Sequence, residues 1–566
     1  MKKIFRILNF QQKLTAIIVI NLILLTSFLE VIVLFFIQPL LQLLLNIKTT
    51  SYNINFFLFS TNISAKLLIT LFAICIVSRN IFYAATIFFK SFFVKNLHID
   101  ISNSIYSSYL NKNYIFFLRN SSSKLISNVT TEIDNFSYRV IDSFFIFLTE
   151  VFLVLAIALF LFFKFFQFSL ILVLFCFLLF LLSAYVFKRK LKKIGLEKSI
   201  ADRNKISNLQ NSFHAVQSIK LDNIEDFFIK KFNESNATSS KKFAYLTTIN
   251  DLLKPVWELT VLISFAVTVY VGFAFFDLFR ENIVLILGTF AVAIFRFLPS
   301  LNRLLNSFNT FKFFSNSIDF IYDELFISRT NIVIDKKEND NNYEFHNQIE
   351  LKNIYFHYEK NTPIILGDVN LIIKKNSINF IKGESGSGKS TLLNILCGLL
   401  LPTNGEVLVD NKNINSFLRS YQSKIGYVPQ KTLLLDDTIL ENIVFGQHVD
   451  DLDFNLIEEV ISKSKLKKLI NKLPNGLNTI IGERGSFLSG GEQQRLGIAR
   501  ALYKKPEILI LDEATNALDE QTERSLLNQI FEFKENITII VVSHKKLKID
   551  KLFEFFELVD YKIIQK

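Results

Sequence analysis

The residues most suited to chemistry lie in the second half of this 566-residue chain, in the stretch GESGSGKST, Gly383 to Thr391. The run INFIKG before it has the apolar, β-branched character of a buried strand, and the run after it, Leu392–Leu400, reads as a helix. Strand, glycine loop and helix in that order make a phosphate cradle. Gly383, Gly386 and Gly388 admit backbone conformations that aim N–H groups at phosphate oxygens, with Glu384, Ser385 and Ser387 between them. The helix N-terminus at Ser390 and Thr391 adds its partial positive charge. Lys389 reaches the β- and γ-phosphates, and the Ser390 hydroxyl is a ligand for Mg²⁺. Further on, ILILDE ends a strand in two carboxylates. Asp512 suits the metal shell, and Glu513 suits a base that polarises the attacking water. A third strand, ITIIVVSH, ends in His544, within reach of a γ-phosphate.

The elements that position these groups follow from the pattern of short apolar strands alternating with helical segments from Ile349 on, as an α/β domain requires. We place that domain at 349–566 and a polar, charged linker at 326–348. The preceding 325 residues are different. Half of the whole chain is hydrophobic, and its mean hydropathy is positive. Six runs have the length and apolarity to cross a bilayer: about Leu14–Ile37, Leu67–Val94, Val140–Phe163, Phe168–Phe187, Leu259–Phe276 and Asn282–Leu298. Six such runs exclude a large soluble protein with buried helices. The segment Lys188–Lys242 carries 13 lysines and arginines, whereas the opposite loops hold only Lys48, Lys66, Lys164 and Arg280. The positive-inside rule therefore puts both termini in the cytoplasm and the chain in the cell (inner) membrane. The net charge of +12 reads as attraction to an anionic membrane surface, not to nucleic acid. No cleavage site follows the apolar run after the basic N-terminus, so no removable signal is expected.

The stretches 95–139 and 188–250 read as helices continuing beyond the bilayer, with polar breaks at Asn120–Asp134 and Ser218–Asp226 that would meet another domain. Charges within the spans need a reason, because a charge in lipid is costly. Arg79 and Arg296 sit at similar depth on the second and sixth runs. Two roles compete for them: lining a substrate path, or pairing with Glu30 or Glu150 to hold the bundle together.

Two further stretches, LSGGEQQR at Leu488–Arg495 and YVPQ ending in Gln430, complete a set that resembles the ATP-binding cassette family. The resemblance implies an α-helical six-span exporter domain followed by an α/β P-loop cassette that binds ATP and Mg²⁺ and hydrolyses ATP. It implies that Leu488, Ser489, Gly490, Gly491 and Glu492 form a signature that acts on the ATP of a partner copy. It also implies that Gln430 joins Ser390 and Asp512 around Mg²⁺ and takes part in catalysis, and that Tyr358 of FHY stacks on adenine. Asp519 closes the segment NALD, Asn516–Asp519, where the family usually has SALD. One cassette per chain implies a half-transporter that pairs with a second copy of itself. Within exporters, FLEVIVLFFIQPLL, FLRNSSSKLISNVTTEIDNF and FRFLPSLNRLLNSFNTF resemble flippases of lipid-linked oligosaccharides. That resemblance implies a lipid-linked glycan as cargo, with peptides or small amphiphiles as the alternative.

Overall fold

The computed structural model describes residues 2–44, 52–56, 59–275, 283–327, 344–359, 362–447, 451–543 and 553–565. They form two compact units, one from residues 2–112 and 116–327 and the other from residue 344 on.

The first unit is helical apart from one hairpin, β1 (Tyr52–Phe56) paired antiparallel with β2 (Phe59–Ile63). Its long helices are Phe10–Phe35, Ala65–Leu110, Asp142–Lys164, Phe166–His214, Glu225–Phe275 and Ile283–Phe314. The 46-, 49- and 51-residue members run about 70–77 Å at 1.5 Å per residue. That is over twice the hydrocarbon thickness of about 30 Å. Five helical stretches among the described residues are long and apolar enough to cross a membrane: Phe10–Leu43, Ala65–Leu110, Ser122–Lys164, Glu225–Val271 and Val284–Phe314. The fourth predicted span falls on the helix Phe166–His214; the side chains of its first turns lie outside the described residues. A single residue, Phe165, separates that helix from the one before it, a tighter link than the expected turn over 164–167.

One expected break moves. The first falls at 111–121 around the short helix Tyr114–Arg119, not across Asn120–Asp134. From Ser122 the chain is helical, through Ser127 and then two π-type segments, Asn128–Glu132 and Asn135–Ile141. The polar residues there are used for helix packing. Buried Glu132 accepts hydrogen bonds from Ser199 and from Ser317, the latter at 2.7 Å. The second break holds its predicted place, with Asn223 in the left-handed conformation between helices Val216–Asp222 and Glu225–Phe275. Where the helices Phe166–His214 and Ile283–Phe314 cross, a Cβ on Gly195 would lie 1.7 Å from the Phe313 carbonyl oxygen, so only glycine fits.

In the second unit β3 (Gln348–Phe356) pairs antiparallel with β4 (Leu366–Lys374). Next come β5 (Ile378–Gly383), β6 (Asn404–Val409), β7 (Lys412–Asn413), β8 (Ile425–Val428), β9 (Ile508–Asp512), β10 (Thr538–Val542), β11 (Glu554–Val559) and β12 (Lys562–Gln565). They make a four-stranded antiparallel sheet, β4-β3-β6-β7, and a six-stranded sheet, β12-β11-β5-β10-β9-β8, parallel except for β12. Every residue of β9 and β10 is buried. Continuous apolar runs such as ILIL and TIIVV are what a parallel sheet covered on both faces demands. The unit's first strand begins at Gln348. Most of the predicted linker, 328–343, lies outside the described residues.

Candidate functional site

In the parallel sheet β10 lies between β5 and β9, with Val542 level with both Ile381 and Asp512. Parallel strands in register end at one edge. Residues far apart in sequence therefore meet there: the glycine loop after β5, Gln430 after β8, and Asp512 and Glu513 at the end of β9. Ligands of open α/β sheets bind at this carboxyl edge.

The loop has the geometry of a phosphate cradle. Gly386 and Gly388 have φ of 83° and 102°. A Cβ on Gly388 would lie 3.1 Å from Ile365, and one on Gly386 would meet nothing within 4 Å. Gly388 caps the helix Lys389–Leu396, which ends four residues before the expected Leu400 because Gly398, with φ 66°, turns the chain away. Lys389 Nζ donates to the carbonyls of Gly383 and Glu384 at 2.9 and 2.8 Å, folded back over the loop. Burial lowers the Lys389 pKa, while Glu513 and Asp512 oppose the shift. Ser387 Oγ is buried in the loop with no hydrogen-bond partner among the described residues. A phosphate oxygen would satisfy it. Tyr358 reaches the same helix start, its hydroxyl 3.3 Å from Thr391 Oγ1 and its ring edge-on to Phe356.

Two carboxylates face this loop. Burial pushes the Asp512 carboxyl above its usual range; the Tyr427 hydroxyl, donating at 3.1 Å, opposes that and Glu513 adds to it. Tyr427 is itself raised, first by burial and then by Asp512. A buried anion disfavoured in this way is what a divalent cation would relieve. Ser390, Gln430 and Asp512 offer only oxygen ligands, the hard donor set that Mg²⁺ takes. Glu513 has φ 51°, a costly conformation for a non-glycine residue. Its N–H bonds the Val542 carbonyl at 3.0 Å, and its Oε2 accepts from Gln430 Nε2 at 2.7 Å and Asn516 Nδ2 at 2.9 Å. His544, the remaining predicted catalytic residue, lies outside the described residues.

The signature residues open the helix Gly490–Tyr503. Leu488 is buried, whereas Ser489 and Gly490 are exposed. Ser489 and Glu492 form a capping box, with Ser489 N and Oγ donating to Glu492 Oε2 at 2.8 and 2.7 Å. The helix start packs on the NALD segment: a Cβ on Gly491 would lie 3.0 Å from Leu518, and Ala517 N donates to Gln494 Oε1 at 3.0 Å. Asp519 caps the next helix, Glu520–Phe531, by accepting from Thr522 N at 2.9 Å, and that bond lowers its pKa.

Three participants escaped the sequence reading: Tyr427, Asn442 and Arg500. Fully buried Asn442 and the carbonyl of Leu433 accept from the Arg500 guanidinium at 2.8–2.9 Å. The guanidinium also lies 4.2 Å from the Phe445 ring centroid. Burial brings the Arg500 pKa down to about 10. This clamp ties the segment after Gln430 to the signature helix. Nothing in one sequence marks an arginine seven residues past Gln493 as its anchor; a polar residue inside the apolar run ILENIV was the available signal.

Comparison with known proteins agrees with this geometry. The family described as ABC transporter matches residues 366–516, and the ABC transporter transmembrane region matches residues 16–296. The chain belongs to the ABC transporters. It is a half-transporter, with one membrane domain and one ATPase cassette. An ATP-dependent lipid A-core flippase of Saccharophagus degradans is 30% identical over 59% of this chain and 55% of its own. A mitochondrial iron–sulfur clusters transporter, ATM1 of Debaryomyces hansenii, is 43% identical over 35% of this chain and 28% of its own. The half-transporter thus spans less than two thirds of each of these relatives. A bacterial Atm1-family ABC exporter solved with ATP bound shares the fold, at a TM-score of 0.75 and 19% identity over 97% of this chain and 94% of that one.

In the membrane unit of the half-transporter the two predicted arginines come together. Arg79 Nε and Arg296 Nε lie 2.6 and 3.2 Å from the two oxygens of Glu30, which is 1% exposed. Arg79 also donates to Asn80 Oδ1 at 2.8 Å. Glu150 is not their partner. It is bound by both Nε and Nη2 of Arg303, one turn beyond Pro299, and Nη2 also reaches Ser300 Oγ at 3.3 Å.

Proposed function

We propose that this half-transporter pairs with a second copy of itself in the cell (inner) membrane, both termini cytoplasmic, and uses ATP to export or flip an anionic amphiphile, in the first instance a lipid-linked glycan. The observation that carries the cargo class is the ratio at Glu30: one buried carboxylate with two guanidiniums. One arginine neutralises it. The second leaves a net positive charge inside the apolar unit, where an uncompensated charge is costly. Arginine's planar fork suits a phosphate or pyrophosphate, the group that joins glycan to lipid carrier. The flippase name of one relative points the same way.

The power stroke follows from the cassette. ATP is held by the loop amides and Lys389, with Tyr358 against the adenine and the partner copy's Ser489, Gly490 and Gly491 on the γ-phosphate. When bound at Ser390, Gln430 and Asp512, Mg²⁺ supplies positive charge against the β- and γ-phosphates. Glu513 takes the proton of the attacking water, and His544 contacts the γ-phosphate. Closing the cassettes switches the membrane helices from opening on one side to opening on the other.

The cargo is tested by Arg79→Gln and Arg296→Gln in proteoliposomes carrying a fluorescent polyprenyl-pyrophosphate glycan. Either variant leaves Glu30 with one partner, so folding and basal ATPase are expected to persist while flipping falls at least about 10-fold, as for loss of a charged hydrogen bond. Full flipping in both would remove the arginines from the path. The dimer is tested by mixing Lys389→Ala chains with Ser489→Arg chains, each inactive alone. If signature and loop act across the dimer, both lesions in a hybrid fall on one site and ATPase returns. If they act within one chain, no activity returns.

A further inference from the structure

Three residues past Glu513 the chain comes back to it. Asn516 closes the turn after β9, its N–H bonding the Glu513 carbonyl at 3.2 Å, and its side-chain Nδ2 donates to Glu513 Oε2 at 2.9 Å. Gln430 Nε2 donates to the same oxygen at 2.7 Å. The two amides come from different segments. Gln430 follows β8 at the sheet edge. Asn516 sits on a turn whose next residue, Ala517, is bonded to Gln494 of the signature helix. Glu513 is buried, whereas Asn516 is exposed, so the asparagine contributes a hydrogen bond and little packing. The donor depends on residue type: a serine, usual here in the family, is shorter and has no amide.

We infer that Asn516 is a positioning residue for hydrolysis, fixing with Gln430 the direction in which the Glu513 carboxylate meets the attacking water. The inference rests on Glu513 being the base. A neutral amide suits the task. It restrains the carboxylate without neutralising it, as an arginine would, and without competing for its proton. A turn tied to the signature helix also links the setting of the base to the element that engages the partner copy's ATP.

Asn516→Ala in the full-length protein is expected to lower kcat for ATP about 10-fold with KM within about twofold, since a lost hydrogen bond to a charged group acts on the reaction and not on nucleotide binding. Asn516→Asp keeps the shape but turns a carboxylate oxygen toward Oε2, and is expected to lose more than the alanine variant. In a Glu513→Gln background, single-turnover hydrolysis is expected to be the same with Asn516 or Ala at position 516, because partners in one function are not additive. A kcat within twofold of wild type for Asn516→Ala, wild-type activity in Asn516→Asp, or an equal further drop in the Glu513→Gln background would each overturn the inference. If Glu513→Gln alone retains turnover, it is the base assignment that fails. If it abolishes turnover while Asn516→Ala is silent, only the positioning role fails.

Discussion

Glu30 in the membrane unit and Glu513 in the cassette are both buried, at 1% and 9% exposure, yet their partners differ in kind. Glu30 faces two guanidiniums from two other helices. Glu513 receives two neutral amides. A guanidinium cancels the charge, so Glu30 serves as a tie between helices and a counter-charge. An amide orients the group without cancelling its charge, the setting that the base role proposed for Glu513 calls for. The same side chain is placed as a strut in one setting and, on the proposed mechanism, as a reagent in the other.

The comparison breaks first at the reagent. Glu513→Gln keeps the shape and both amide neighbours but cannot take a proton. Phosphate release is expected to fall by about 10²–10⁴, with nucleotide binding retained in a filter assay. Near-normal turnover would return Glu513 to a structural role and erase the contrast. At the strut, Glu30→Gln leaves two guanidiniums with no counter-charge. Breaking a buried pair in this way costs about 3–5 kcal/mol, read as a lower unfolding temperature or as aggregation on extraction. The double variant Glu30→Gln/Arg79→Gln removes one of those charges and is expected to recover part of the loss. Unchanged stability of Glu30→Gln would make the triad a site and not a tie.

The smallest effect sharpens the contrast at the surface, where a carboxylate serves as a helix cap. The Asp519 carboxyl is held below its ordinary range, first by the Thr522 N–H. A depressed carboxylate stabilises the fold fully above its unfolded value of about 4, and that contribution is lost as pH falls through the lower folded value. Asp519→Ala should therefore melt lower than wild type at pH 7, and the gap should narrow progressively as the pH is taken below about 4. A gap that stays the same from pH 7 through the acid range would assign the effect to something other than the charge.

Much of the cassette could be read directly because its chemistry is local. The glycine loop, the strand ending in Asp512 and Glu513, and the serine opening the signature helix each announce themselves within a few residues, since turn, strand and cap are short-range requirements. The apolar runs were equally plain, and five helices among the described residues are long and apolar enough to cross, because lipid imposes a length and a composition on any crossing. What the sequence could not say was which charges meet. Glu150 found Arg303 and not Arg79 or Arg296, since pairing depends on how helices rotate and cross, set by contacts such as Gly195 against Phe313. The polar stretch at 122–134 read as a break but folded as helix, because Glu132 found hydroxyl partners on two other helices. The grip of Asn516 and Gln430 on one oxygen of Glu513 was likewise invisible. It requires β8 beside β9 and a turn that doubles back, an arrangement fixed by the strand order of the sheet and not by any residue's own preference.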